Sequence, residues 1–193
     1  AGTGDPAYGG DALSGLGVYR SINDGKTWTR SAGVPTGPIT FRIAVDPTNP
    51  DVVYAATGKG LWRSRDAGKS FVNVVLPTGC TSVDKPDCFF ANMVTDVVVH
   101  GGSPSNGGGQ VLAVVGWRAG PRLNAHGKPQ APNDGLYFSP TGKAHTFAYR
   151  SNAPGFTANK YVGRTALGTA HGPRQNHDFV YALVQDAGKF DGN

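Results

Sequence analysis

Short runs of β-branched and aromatic residues, separated by glycine-rich and polar turns, recur along this chain. The clearest run, residues 39–46, alternates large apolar residues with smaller or polar ones, as a strand with one buried face does. Three similar runs follow before residue 76, each bounded by Pro, Asp or Gly. We expect one antiparallel four-stranded sheet here, with these side chains buried: Phe41, Ile43, Val45, Val53, Tyr54, Trp62 and Phe71.

The same grouping of runs appears on both sides of this segment. A hairpin precedes it, a third group with long insertions follows it, and the start of a fourth group lies near the C-terminus. The predicted strands are residues 17–21 and 27–30, then 39–46, 52–57, 61–64 and 70–75, then 94–100, 111–117, 135–139 and 146–150, then 165–170 and 179–184.

A turn of the form Ser-x-Asp-x-Gly-x-Ser-aromatic joins the last two runs of the central segment. Asp66 can accept hydrogen bonds from backbone N–H groups of its own turn, and Gly68 can adopt a positive φ that a side chain would resist. An earlier copy, residues 21–28, has Asn23 in place of the aspartate and lies about 43 residues before it. A later copy, residues 139–147, is degenerate, with threonine in place of the aspartate and one residue inserted.

This repeated turn resembles the Asp-box, or BNR repeat, of sialidases, sortilin-type receptors and xyloglucan hydrolases. The resemblance implies an all-β fold, a β-propeller with four-stranded antiparallel blades, in which the Asp-box turns are structural. About three blades are expected: residues 1–38 as the end of one blade, 39–77 as a complete blade, 91–151 as a blade with long insertions, and 163–193 as the start of a further blade. The structural Asp-box residues are Ser21, Asn23, Asp24, Gly25, Trp28, Ser64, Asp66, Gly68 and Phe71.

The expected blades are incomplete at both ends of the chain. Residues 1–4 repeat the Ala-x-Thr-Gly ending of residues 55–58 without the start of that strand, and residue 193 falls where a third strand is expected. Closed propellers have about four to eight blades. Because an open arc exposes apolar faces and strand edges, the remaining blades, from the same gene or another chain, are predicted partners.

Composition favours the same turn-rich, all-β protein. Glutamate is absent, and the 193 residues include 29 glycines and 14 prolines, which leaves few good helix formers. The net charge of +5 comes from scattered Lys and Arg residues, which predicts a solvated surface, and no motif indicates nucleic-acid binding. No apolar run is long enough to cross a membrane, the histidines lack metal-ligand spacing, and no cofactor is predicted.

Two cysteines, Cys80 and Cys88, lie close together in one polar loop. Their spacing permits a small disulfide loop, whereas a metal site would need accompanying His or Cys residues that the loop lacks. Because disulfides form in oxidising compartments, the pair predicts an extracellular, secreted protein.

By the resemblance, ligands bind on the face opposite the Asp-box turns. Asp5 and Asp11 are expected there as catalytic carboxylates, because xyloglucan hydrolases with Asp-boxes carry a catalytic Asp in the equivalent loop; the alternative is that both cap turns. The expected ligand-binding residues are Tyr8 in the same loop and Trp117, Arg118, Arg122, His126 and Asp134 in or beside the long third-blade loop.

These ligand roles have simple alternatives. The rings of Tyr8 and Trp117 could stack on sugars, but Trp117 could equally end a buried strand. Arg118 and Arg122 could bind a carboxylate or sulfate, or could be solvated loop charges.

Two functions follow as hypotheses. One is a carbohydrate-active propeller that binds or hydrolyses an extracellular polysaccharide, as a glycoside hydrolase whose site lies partly outside this chain. The other is a non-catalytic, sortilin-like propeller that binds proteins or peptides. A sialidase is disfavoured, because the chain has no glutamate for the nucleophile pair and Arg42 alternates like an ordinary strand residue.

Overall fold

The computed structural model of the protein describes residues 1–5, 13–80, 90–100, 109–117, 133–150, 154–158, 161–170 and 178–190. Within these ranges the regular structure consists of strands, apart from one short helix, and turns and irregular segments join them. Its elements in chain order are β1 (Tyr19–Arg20), β2 (Thr29–Arg30), β3 (Thr40–Asp46), β4 (Asn49–Thr57), β5 (Gly60–Ser64), β6 (Val72–Asn73), β7 (Val94–His100), β8 (Gln110–Val115), β9 (Gly135–Ser139), β10 (Ala148–Tyr149), β11 (Val162–Thr169), β12 (Val180–Asp186) and the short helix α1 (Ala187–Phe190).

Hydrogen bonding gathers these strands into four antiparallel sheets that follow one another along the chain. Their orders are β1-β2, β3-β4-β5-β6, β7-β8-β9-β10 and β11-β12, so each strand pairs with its neighbour in sequence. The antiparallel four-stranded sheet predicted for the central segment is confirmed. Helix α1 was not anticipated from the sequence.

The first sheet is extended by residues 1–4, which pair with the chain beside β1. Gly2 forms an antiparallel bridge with Val18. Thr3 Oγ1 donates to the Gly17 carbonyl at 2.7 Å, just as Thr57 Oγ1 donates to the Gly60 carbonyl at 2.8 Å in the second sheet. The predicted likeness of residues 1–4 to residues 55–58 therefore holds in three dimensions.

Strand β4 shows why the sheets stack face to face. Val53 and Ala55 pack towards the first sheet with Val18 and Phe71, whereas alternate residues of the same strand, Tyr54 among them, pack towards the third sheet. A strand that is covered on both faces is apolar at consecutive positions, as β4 is. A third apolar cluster joins the third sheet to β11 and β12 through Val98, Val114, Val162 and Leu167.

The second Ser-x-Asp turn is closed by its own side chains. Ser64 Oγ donates to Asp66 Oδ1 at 2.7 Å and accepts from the Gly68 backbone N–H at 2.8 Å. Asp66 Oδ1 also accepts from the Ser70 backbone N–H at 2.9 Å, and Asp66 Oδ2 accepts from Ser70 Oγ at 2.6 Å. Gly68 has a φ of 82°, as the sequence predicted.

The first turn repeats this arrangement with an amide. Asn23 Oδ1 accepts from Ser21 Oγ at 3.0 Å and from the Thr27 backbone N–H at 2.9 Å. Asn23 Nδ2 donates to Thr27 Oγ1 at 2.9 Å, which replaces the bond that Ser70 makes to the second carboxylate oxygen of Asp66. Asparagine therefore fills the aspartate position, as predicted.

The degenerate third turn keeps the hydroxyl bonds and loses the carboxylate. Ser139 Oγ accepts from the Gly142 backbone N–H at 2.7 Å and lies 2.6 Å from Thr146 Oγ1. Thr141 Oγ1 donates to Thr146 Oγ1 at 3.2 Å. Two threonine hydroxyls thus span the gap that one aspartate closes elsewhere.

Four of the predicted burials are wrong or incomplete. Val45, near the end of β3, is 53% exposed, because the apolar cluster between the first two sheets includes Ile43 and Val53 but does not reach Val45. Phe41, Ile43 and Trp62 in the same sheet are only half-buried. Val53, Tyr54 and Phe71 are buried as predicted.

Trp28 differs from its counterpart Phe71. Phe71 is buried between the first two sheets, but Trp28 is 51% exposed and donates from Nε1 to the Gly25 carbonyl at 2.9 Å. Its ring lies over its own turn because the described residues place no sheet on the outer side of β2. The outermost strands β2, β6 and β10 also have only two residues each, shorter than predicted.

Candidate functional site

The sheets have two edges, and the Ser-x-Asp turns all lie at one of them. In the second sheet Thr40, Thr57 and Gly60 are paired at one end, and Val53 and Ser64 are paired towards the other. We call the end at which β3, β7 and β11 begin the upper edge, and the end that carries the turns the lower edge. Within the described residues, the strand ends that flank the candidate ligand loops lie at the upper edge, opposite the turns.

Charged side chains from the first strands of three successive sheets, β3, β7 and β11, meet at the upper edge. Arg42 on β3 lies with Nε 3.5 Å from Asp96 Oδ1 on β7. Asp96 Oδ2 accepts from the Leu167 backbone N–H on β11 at 2.7 Å, and Oδ1 accepts from the Val97 N–H at 2.7 Å. The Asp96 carboxylate therefore links β3, β7 and β11. Arg164, the third residue of β11, contributes a second positive charge to the surroundings of Asp96.

Burial decides how these groups present themselves. Asp96 is 4% exposed, and burial raises the pKa of its carboxyl, while its hydrogen bond from Leu167 and the Arg42 charge act in the opposite direction. The Arg42 side chain is 42% exposed, and Arg164 is also exposed. The cations thus face solvent above a carboxylate that does not.

An aromatic pair adjoins this cluster. The Phe41 ring lies 5.6 Å from the Trp117 ring at an angle of 46°, and the Arg164 guanidinium carbon lies 6.0 Å from the Phe41 ring centre. Trp117 is 5% exposed and forms a parallel bridge with Gly163. Because its ring is buried, the alternative that Trp117 ends a buried strand is the better description, and sugar stacking by Trp117 stays a prediction.

Asp5 lies at the upper edge and is exposed. Its backbone N–H donates to the Leu13 carbonyl at 3.3 Å, and the neighbouring Thr3 carbonyl accepts from the Thr40 N–H at 3.0 Å, at the start of β3. Asp186, at the end of β12, is a second exposed carboxylate at this edge, and it was not singled out from the sequence.

Asp134 occupies a different environment from the one predicted. It is fully buried just before β9, and desolvation raises the pKa of its carboxyl well above the usual range. Its carbonyl accepts from Tyr149 Oη at 2.8 Å, and the adjacent Asn133 carbonyl accepts from Tyr137 Oη at 2.6 Å. A buried carboxyl does not face a bound sugar, so the position favours a structural role, and ligand binding by Asp134 stays a prediction.

Several predicted site residues lie outside the described residues, and they stay predictions. They are Tyr8, Asp11, Arg118, Arg122, His126 and Cys88.

Cys80 ends the described part of its loop on the upper side of β6. There is no free cysteine among the described residues, and Cys80 is disulfide-bonded. The Asn92 side chain donates to its carbonyl at 3.0 Å, and Thr78 Oγ1 donates to the same oxygen at 3.2 Å. Since Cys88 is not described, its pairing with Cys80 remains a proposal.

The described residues contain no group of three or more His, Cys, Asp or Glu side chains placed to hold a metal ion. They also contain no helix with the length and apolarity to cross a bilayer.

Comparison with known proteins gives a consistent result. The chain is similar to xyloglucanases. It is 25% identical over 199 residues to xyloglucanase Xgh74A of Acetivibrio thermocellus. This alignment covers 96% of this chain and 21% of that protein. It is 35% identical to a xyloglucanase of Hypocrea jecorina over 66 residues, which cover 30% of this chain and 8% of that one. No protein-family model matches the chain.

A solved structure agrees on the fold. The crystal structure of an ancestral GH74 enzyme matches 86% of this chain with a TM-score of 0.56 and 20% sequence identity, and the match covers 18% of that enzyme. The chain therefore spans about a fifth of the length of the relatives it matches. The likeness extends through all four sheets rather than one repeat, because it covers most of the chain.

Sequence reasoning missed the charged cluster at the upper edge. It read Arg42 as an ordinary strand residue and singled out neither Asp96 nor Arg164. The available signal was a charged residue, alternately positive and negative, near the start of the first strand of three successive sheets: Phe41-Arg42, Thr95-Asp96 and Gly163-Arg164. That signal needs the strands to be aligned by repeat, which their different β-bulges obscure.

Proposed function

We propose that this chain is part of a secreted Asp-box β-propeller that binds or hydrolyses an extracellular polysaccharide. The observation that carries the proposal is the similarity to xyloglucanase Xgh74A across 96% of the chain. The sequentially paired sheets, stacked face to face, and the repeated Ser-x-Asp turns support a propeller built from four-stranded blades. The Cys80–Cys88 pair supports secretion.

The upper edge is the proposed ligand face. Asp5 is the proposed catalytic carboxylate, because it is exposed there beside the start of β3. A glycosidase needs a second carboxylate, about 5 to 9.5 Å from the first, on the other side of the scissile bond. We place that partner in the remaining blades, which the fivefold greater length of the xyloglucanases supports. Asp11 is retained as a second candidate in the same loop.

Hydrolysis is tested by incubating the full-length protein with xyloglucan and measuring new reducing ends. Asp5→Asn is expected to lower the rate by at least about a hundredfold, since a carboxamide cannot transfer a proton or act as nucleophile. Asp51→Asn is the matched control, because Asp51 is exposed at the lower edge. Equal rates for the two variants would remove Asp5 from the catalytic site.

A non-catalytic, sortilin-like binding propeller is the second candidate. Two of the aspartates at the upper edge, Asp96 and Asp134, are buried, which leaves fewer carboxylates able to reach a glycosidic bond. In that case the full-length protein binds proteins or peptides on its upper edge and releases no reducing ends from any polysaccharide.

A further inference from the structure

We propose that the upper edge holds a binding site for an anionic group on a polysaccharide, a carboxylate or a sulfate ester, with Arg42 as its main ligand and Arg164 beside it. The inference rests on the proposed polysaccharide function and names a substrate class for it. It predicts that an acidic glycan binds more tightly than a neutral one of the same size.

Arg42 is held by the buried carboxylate of Asp96. Its ionic contact with Asp96 runs through Nε at 3.5 Å, which is long for a charge-assisted hydrogen bond. Asp96 meanwhile accepts two backbone N–H bonds at 2.7 Å, so its oxygens are engaged mainly by the backbone of β7 and β11. Within the described residues, Asp96 is the only ionic partner of Arg42. The contact with Asp96 therefore orients the Arg42 guanidinium through Nε and does not use its terminal nitrogens. The Arg42 side chain is 42% exposed.

The backbone that carries Arg42 is part of a hydrogen-bonded sheet. Arg42 stands on a strand rather than a loop, and its buried partner links three neighbouring sheets. Guanidinium groups that are held in place bind carboxylate or sulfate through paired N–H donors, and little side-chain entropy is lost when they do so.

A second arginine and two aromatic rings belong to the surroundings of this cluster. Arg164 lies against Phe41, the residue before Arg42, and Phe41 is half-buried and packs on Trp117. Arg164 also acts on the same Asp96 carboxyl that Arg42 contacts, so a second guanidinium belongs to the same cluster. Sugars pair an apolar face with polar substituents, and a site with an aromatic ring beside cations matches an acidic sugar. The net charge of +5 adds a long-range attraction for polyanions.

The test uses the full-length protein and calorimetric titration at physiological ionic strength, where the screening length is about 8 Å. The probes are oligogalacturonides, the same oligomers after chemical reduction of their carboxyl groups, dextran sulfate oligomers and xyloglucan oligosaccharides. We expect an acidic probe to bind at least about tenfold more tightly than the reduced oligomer, as one charge-assisted contact provides.

The variants separate a site from general attraction. Arg42→Gln should cost about tenfold in affinity for the acidic probe and leave binding of the reduced oligomer unchanged. Arg65→Gln, an equal charge change on an exposed residue of the lower-edge turn, should change affinity by less than about twofold. Arg164→Gln leaves the Arg42–Asp96 pair intact and should still weaken acidic binding, which guards against a folding defect in Arg42→Gln.

Each outcome is decisive. Equal affinity for acidic and carboxyl-reduced oligomers, or equal losses in Arg42→Gln and Arg65→Gln, overturns the anionic site. If xyloglucan oligosaccharides bind as tightly as acidic ones and independently of Arg42, the inference fails while the proposed polysaccharide function stands. If no glycan binds, both fail. Tighter Arg42-dependent binding of dextran sulfate than of oligogalacturonide identifies sulfate esters as the source of the charge.

Discussion

The Gly33 Cα packs directly against the Phe71 carbonyl, so close that a Cβ on Gly33 would collide with that oxygen. Through this contact, the segment after β2 packs against the residue that follows the Ser-x-Asp turn of the second sheet. Beside it, Ser31 Oγ donates to the Gly68 carbonyl at 2.6 Å, and the Ala32 backbone exchanges hydrogen bonds with Lys69 and Phe71 at 2.9 Å. The turn therefore closes its own hairpin and also receives the preceding sheet.

Gly33→Ala should destabilise the protein by about 2 to 4 kcal/mol, because the new methyl group meets backbone that cannot move away and Gly33 has a φ of 92°. Gly37→Ala is the matched control, since Gly37 has a φ of 101° and open space around its Cβ position. The difference between the two variants in urea denaturation isolates the steric contact from the cost of positive φ. Equal losses would show that the two sheets are not held together at Gly33.

Asp66→Ala should lower the free energy of unfolding by about 1 to 3 kcal/mol, because it removes the acceptor of bonds from Ser64 and Ser70. Asp66→Asn should stay within about 1 kcal/mol of the wild type, since Asn23 already closes the first turn in the same way. Glycan affinity should be unchanged in both, because the turn lies at the lower edge. Loss of binding by folded Asp66→Ala would contradict a purely structural role.

The same aspartate makes stability depend on acid. Hydrogen bonds from Ser70 and then Ser64 hold the pKa of Asp66 well below its usual range. A carboxyl with a depressed folded-state pKa contributes stability that is present above its unfolded pKa, about 3.9, and is lost as pH falls below it. The stability advantage of wild type over Asp66→Asn should therefore shrink from about pH 5 to about pH 2.5. A pH-independent difference in melting temperature would rule out this linkage.

Sequence reasoning recovered the elements whose causes are local. Ser64, Asp66 and Gly68 make their turn with bonds that span four residues, so the motif predicts its geometry, including the asparagine version at Asn23. The burial of Val53 and Tyr54 followed from an apolar run covered on both faces. The exposure of Val45 could not be predicted, because it depends on where the neighbouring sheet stops.

The upper edge was less predictable for a related reason. Asp134 and Trp117 sit in loops whose polar and aromatic residues suggested a ligand site, yet both side chains are buried by contacts with distant segments. The cluster of Arg42, Asp96 and Arg164 assembles from the first strands of three successive sheets, which spacing along one strand does not show. Asp5 is exposed at the upper edge, and its catalytic role stays a prediction.

The Cys80–Cys88 disulfide should contribute about 2 to 3 kcal/mol by restricting the unfolded chain, with a loop this short. Alkylation of the unreduced, unfolded protein followed by mass spectrometry should show no modified cysteine, and reduction should expose two. Cys88→Ser should lower the melting temperature and leave the sheets intact, because Cys80 lies outside the strands. Two modified cysteines without reduction would refute the pairing.

The proposed remaining blades would cover the face of β12 that is exposed in residues 1–193. Val184 packs against the third sheet, whereas Leu183, its neighbour on the opposite face, is 80% exposed and Tyr181 is 67% exposed. If further strands cover that face in the longer protein, Leu183→Ser should cost about 1.5 to 3 kcal/mol there, the value of a buried leucine, and less than about 0.5 kcal/mol in residues 1–193 alone. Val184→Ala is the control and should destabilise both forms. Hydrogen exchange measures the same cover without a substitution, since the β12 amides should be protected in the longer protein. Rapid exchange of β12 there, together with a silent Leu183→Ser, would mean that no further blade packs on this face.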